Sequence, residues 1–101
     1  MSYDMHILLR VEEVCERARL TREQLLSMVA EEIIQPCDTR DQEWRFEPAA
    51  AALAARAARL HRDLELDWNA VALALSLLDE VEQLRRENLG LRRRLRRFEE
   101  I

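Results

Sequence analysis

The sequence predicts a mainly α fold: a winged helix-turn-helix lobe with a small β-hairpin wing, followed by a helix pair that ends in a long, coiled-coil-like C-terminal helix. Three observations predict it. The 101 residues are 49% hydrophobic and 36% charged, with one Gly, two Pro and 5% aromatics, a composition rich in helix formers and poor in turn and strand formers. Two short stretches of helical periodicity, residues 11–18 and 21–31, are joined by about three residues, the connection a helix-turn-helix uses. The last third repeats apolar residues every three or four positions, as a coiled-coil helix does. The length suits a single domain with a modest core. Within it the winged-helix lobe spans 1–66, with its third helix at 48–64, and the long helix with a heptad seam spans 67–101.

Each element follows in order. The apolar run His6 to Leu9 reads as a short strand. Val11, Val14, Cys15 and Ala18 recur at helical spacing, which buries them on one side and shows Glu12, Glu13, Glu16 and Arg17 to water. Thr21 followed three residues later by Gln24 is a capping-box signature. It starts a second helix running to about Glu31, with Leu25, Leu26 and Val29 turned inward. Ile33-Ile34 is β-branched, Pro36 stops any helix, and "EWRF" alternates aromatic and charged residues; the two read as strands joined by the loop "CDTRDQ", which makes the wing. Pro48 suits the first turn of a third helix, with Leu53, Ala57, Leu60 and Leu64 on one side and Arg56, Arg59 and Arg62 on another. Asp67 caps a fourth helix from Trp68, with Gly90 its only strong breaker.

That last helix carries the clearest pattern. Val81, Asn88 and Leu95 take the a positions of a heptad, and Leu84, Leu91 and Phe98 take d. In a parallel pair each g residue faces the e residue five places on in the other copy. Glu80 then meets Arg85, Glu87 meets Arg92 and Arg94 meets Glu99, all of opposite sign, whereas an antiparallel pair sets some like charges together. A lone Asn at an a position also fixes register and a two-stranded state. The expectation is a homodimer, parallel on charge. The alternative is a single helix whose stripe folds back on its own lobe.

The 16 basic residues are all Arg, and the net charge is −4. The first 50 residues hold six Arg against eleven acids, and the remaining 51 hold ten Arg against nine, so the front half is an acidic lobe. The N-terminus lacks the basic region and long apolar run of a signal peptide. The apolar stretch "AVALALSLL" falls well short of the roughly twenty residues a membrane span needs. A cytoplasmic protein without a membrane contact is expected. Cys15 and Cys37 lack the paired spacing of a zinc or redox site; Cys15 reads as a small buried hydrophobe and Cys37 as a free loop thiol. There is no phosphate loop, no metal-ligand spacing and no nucleophile with a base beside it. His6 and His61 read as surface or boundary residues, and Trp44, Phe46 and Trp68 as core. No enzyme, no metal and no cofactor is expected.

DNA binding is the rival that the helix-turn-helix outline brings. Affinity for duplex comes largely from neutralised phosphates, yet the second helix offers Arg22 beside Glu23, Glu31 and Glu32, and the first adds three more Glu. An acidic lobe suits a basic protein surface better. The arginines at 85, 86, 92, 93, 94, 96 and 97 interleave with heptad apolars and read as a solvated coiled-coil surface.

The stretch from residue 54 to 98, "ARAARLHRDLELDWNAVALALSLLDEVEQLRRENLGLRRRLRRF" with its leading Ala54, together with "EEVCERARLTREQLLSMVAEEIIQP" and "WRFEP", resembles the CbpM family of chaperone modulators over nearly the whole chain. The distinctive pieces are Leu66-Asp67-Trp68, Leu77-Leu78-Asp79-Glu80, Glu87-Asn88 and Leu91-Arg92, Arg94-Leu95. The resemblance implies a MerR-like winged-helix lobe used as a protein-binding module. It also implies a partner, the J-domain of a CbpA-type co-chaperone, whose stimulation of the DnaK-type chaperone is inhibited. The MerR likeness is the basis of the other reading, a DNA-binding transcription regulator. A J-domain acts through a basic helix surface, so an acidic face would occlude it. From charge and expected exposure, not from the resemblance, the candidates are Glu12, Glu13, Glu16, Glu23, Glu31, Asp79 and Glu80.

Overall fold

The computed structural model describes residues 7–100. Its elements are β1 (Leu9–Arg10), α1 (Val11–Ala18), α2 (Arg22–Ala30), β2 (Arg45–Phe46), α3 (Pro48–Asp63) and α4 (Trp68–Glu99). The helices begin where the sequence places their caps. Thr21 Oγ1 accepts from Gln24 N at 3.1 Å, and Gln24 Oε1 accepts from Thr21 N at 3.0 Å, so two of the donors that open α2 are satisfied reciprocally. Asp67 Oδ1 accepts from Ala70 N at 3.1 Å to open α4, and Pro48 stands at the start of α3.

The two first helices end in the same way, with a left-handed residue and a backbone return. Leu20 N donates to Cys15 O at 2.9 Å after Arg19 at φ 59°. Ile33 N donates to Met28 O at 2.8 Å after Glu32 at φ 60°. This geometry places an apolar residue just past the helix against its last inward turn. Leu20, Ile33 and Ile34 are accordingly buried.

That explains the main correction to the sequence reading. Ile33-Ile34 is not a strand; its apolar character closes α2 and fills the core. The wing is still a hairpin, but its outgoing arm is Asp38, which bridges Arg45 with Arg45 N donating to Asp38 O at 2.8 Å. The two-stranded sheet joins β2 to β1, antiparallel, with Leu9 opposite Phe46 and Arg10 opposite Arg45. The expected first strand is thus real at its C-terminal end, while His6 lies outside the described residues.

The core gathers Leu9, Val14, Leu25, Met28, Phe46 and Val71, all nearly or fully inaccessible. α1 packs chiefly on α3, and α4 packs on α3. The buried stripe of α3 is Ala51, Ala54, Ala57 and Ala58 in place of the expected leucines: Leu53 and Leu60 are half-buried and Leu64 is exposed. Small side chains let neighbouring helices close on one another, and the larger residues fall to the sides of the contact. Trp44 and Trp68 are half-buried at the edge of this core, and Phe46 is inside it. His61 stacks on Trp68 with ring centroids 4.0 Å apart and planes 13° apart. Its Nδ1 lies 2.6 Å from Leu66 O, so Nδ1–H donates to that carbonyl and the imidazole clamps the turn between α3 and α4.

α4 has 32 residues, about 48 Å of helix. Val71 and Leu75 join the lobe's core. From Ser76 to Glu100 every residue is exposed. The helix therefore leaves the lobe as an arm, and the longest dimension of the molecule reaches 61 Å. The stripe does not fold back.

Candidate partner-docking surface and dimer seam

The carboxylates singled out from the sequence do not share one setting. Glu12 and Glu16 are exposed one turn apart on α1. Glu12 Oε2 accepts from Arg22 Nη1 at 3.3 Å, which ties the start of α1 to the start of α2, where Glu23 is also exposed. The Glu12 carboxyl is held below its ordinary range, first by its own backbone N–H and, against some desolvation, by Arg22 and Arg10. Glu13 is different. Its Oε1 accepts from Arg10 N at 2.8 Å, so it caps α1. Glu31 is exposed where α2 ends, about 12 Å of helix rise from Glu23. Asp79 and Glu80 stand exposed on the arm of α4, beyond Leu75, with no hydrogen bond or ion pair to α1 or α2 among the described residues. The structure thus sets Glu12 and Glu16 as a ridge along α1, tied through Arg22 to α2, and leaves the others apart.

Beside this ridge a cleft of about 580 Å³ opens between α1, α2 and the wing. Val11 and Glu12 come from α1, Arg22 and Leu26 from α2, and Glu43, Trp44 and Arg45 from the wing. The sequence reading turned Leu26 inward, but it is 43% exposed, and Met28 is buried in its stead. Adjacent helical residues diverge by about 100°, so with Leu25 and Met28 centred on the core face Leu26 falls to its side; that spacing was the available signal. Arg45 Nη2 meets Glu43 Oε1 at 3.1 Å. At the tip of the wing, Arg40 Nη2 and Nε bond Asp38 at 2.9 and 3.1 Å, which with the Arg40 backbone N–H pulls the Asp38 carboxyl down to about 2. Cys37 is exposed, with Sγ 3.5 Å from Arg45 O. Cys15 is half-buried rather than buried, and desolvation pushes its thiol up.

The seam residues Leu84, Leu91 and Leu95 are 59–61% exposed and Phe98 76%. In the same register Leu77 is a further d residue, and it too is exposed. Leu73 at g and Leu78 at e flank it, both exposed. A parallel pair would set each Leu73 against Leu78 of the second copy, one apolar step ahead of the three charge pairs. The exposed apolar stripe thus begins a heptad earlier than the sequence reading placed it.

Among the described residues no three His, Cys, Asp or Glu side chains come together as a metal site, and no helix is long and apolar enough to cross a membrane. Over residues 9–93 the chain matches the family described as MerR HTH family regulatory protein. It is 43% identical to the chaperone modulatory protein CbpM of Pseudomonas putida (strain W619) over 101 residues, the whole of both chains. The chain belongs to the CbpM family. It is likewise 39% identical to the CbpM of Pseudomonas entomophila (strain L48) over 101 residues, again all of both chains. With that of Escherichia coli O1:K1 / APEC the identity is 36% over 88 residues, 87% of each chain. A chaperone-modulating role comes with this family, and the names of these relatives describe modulation rather than catalysis. The MerR match agrees with the helix-turn-helix and wing described above.

Proposed function

We propose that this protein binds the J-domain of a CbpA-type co-chaperone and so blocks its stimulation of the DnaK-type chaperone, acting in the cytoplasm as a parallel homodimer joined along α4. One observation carries the reading. On a helix-turn-helix frame the cations that would face phosphate are here answered in pairs: Arg22 by Glu12 at 3.3 Å, Arg45 by Glu43 at 3.1 Å and Arg10 by Glu13 at 3.9 Å. Glu16 and Glu23 stand exposed without a cation partner among the described residues. Such a surface repels a nucleic-acid backbone and steers a basic protein surface toward itself. Covering the basic helix of a J-domain would deny that helix to the chaperone. The MerR family match favours a DNA-binding regulator as a second reading, which this neutralised surface opposes.

Calorimetric titration of the full chain with the isolated J-domain of a CbpA-type co-chaperone, at two salt concentrations, tests the proposal. Saturable binding that weakens with salt is expected. Absence of binding at both salt concentrations would overturn it, and a duplex-binding assay would then decide the second reading.

A further inference from the structure

Within the described parts of α1, α2 and the wing, Leu26 is the one large apolar side chain left exposed. A single surface leucine is ordinary, but this one borders a cleft. Val11 and Trp44 line the same cleft. The Trp44 ring is half-buried and meets the buried Phe46 ring edge-on, with centroids 6.2 Å apart, so the core holds it in place. A fixed aromatic beside an exposed leucine forms an apolar seat on an otherwise charged face.

The charges around the seat are not balanced. The three arginines of the cleft are each paired with a carboxylate. Beyond those pairs Glu16 follows Glu12 by one turn, and Glu23 precedes Leu26 by three residues, a spacing that shares a helix face. Arg17 and Arg19 follow Glu16 at the C-terminal end of α1. The charges lining the cleft are paired, the unpaired exposed carboxylates Glu16 and Glu23 lie outside that lining on the same two helices, and the seat is apolar. Protein interfaces are built in this way, with a desolvated apolar anchor at the centre and a polar rim that excludes water and sets orientation.

We infer that this cleft is the anchor point of the partner: an apolar side chain of leucine or aromatic size, carried on a basic helix, seats between Leu26 and Trp44 while Glu12, Glu16 and Glu23 meet the cations beside it. The inference rests on the J-domain reading and adds where the affinity resides. Carboxylates on the rim govern how fast the partner arrives and how salt acts. The seat governs how long it stays.

Leu26→Asp separates the two contributions because it makes the rim more acidic while it destroys the seat. Titrated with the J-domain as above, L26D is expected to bind at least about tenfold more weakly than the unmodified chain, and the volume-conserving L26M within about threefold of it. A purely electrostatic interface would gain affinity in L26D. Equal or tighter binding by L26D, with the unmodified chain binding normally, overturns this inference and leaves the J-domain reading intact; no binding by the unmodified chain overturns both. Trp68→Phe leaves Trp44 as the sole tryptophan, and its emission is expected to shift to the blue on saturation with the J-domain. An unshifted spectrum at saturation also overturns the seat, whatever L26D does to folding.

Discussion

Leu91→Ala removes one d-position side chain from the exposed stripe of α4, and the size of its effect can be worked from the structure. Burying a leucine side chain fully contributes about 1.5–3 kcal/mol. Leu91 is 59% exposed in the single chain, so roughly half of that remains to be gained by association. A symmetric dimer holds two copies, which puts the loss near 2–3 kcal/mol, or about a 30- to 150-fold rise in the dimer dissociation constant. Alanine is the best helix former, and α4 beyond Ser76 has no buried residue, so neither helix loss nor damage to the lobe can produce such an effect. Sedimentation equilibrium over a range of concentrations measures it. A dimer that dissociates at the same concentration with and without Leu91 would refute the seam, and so would an unmodified chain that stays monomeric at concentrations where coiled coils of this length associate.

Three other outcomes are expected. Glu12→Arg with Glu16→Arg should weaken J-domain binding and leave the melting temperature nearly unchanged, whereas Glu13→Arg should destabilise α1 by about 0.5–2 kcal/mol through loss of its cap; thermal melts beside the binding titrations separate the two. Asp38 titrates at about 2 in the fold against 3.8 ordinarily, first because of its hydrogen bond with Arg40, so its contribution is complete above about pH 4 and disappears as the pH falls through 2. Asp38→Asn should therefore lower stability at pH 7 and flatten its fall between pH 4 and 2, which denaturant titrations at each pH would reveal; an unchanged acid limb would count against the pairing. Gly90→Ala meets nothing within 4 Å and lies at an outward position of the heptad, so it should raise helical stability by about 0.8–1 kcal/mol per chain without altering mass, read by circular dichroism and sedimentation together.

What the sequence carried well was local. Thr21 with Gln24, Asp67 with Ala70, and Pro48 at the start of α3 act over four residues or fewer, and a heptad repeat is a property of one helix. Helix starts, the long arm, its exposed apolar stripe and the acidic character of the front half are all legible on those terms. The acidic ridge was only partly legible. Which carboxylates stand together depends on Arg22 reaching Glu12 across ten positions, and Glu13 is drawn away from the surface role by a backbone N–H.

The rest depended on neighbours distant in the chain. Ile33-Ile34 has the composition of a strand, yet the left-handed Glu32 turns it into the core, and β1 takes that place beside β2. Leu26 reads as core by hydrophobicity and becomes the floor of a cleft because Leu25 and Met28 already fill the inward face. Alanines, not leucines, line α3 because α1 packs against that side. By itself, then, the sequence determined the helices, their caps and the apolar stripe of α4, since hydrogen bonds and periodicity within a few residues specify them. The strand partners, the alanine contact and the cleft that Leu26 and Trp44 line were decided only by the tertiary structure, because burial is set by which distant surfaces meet.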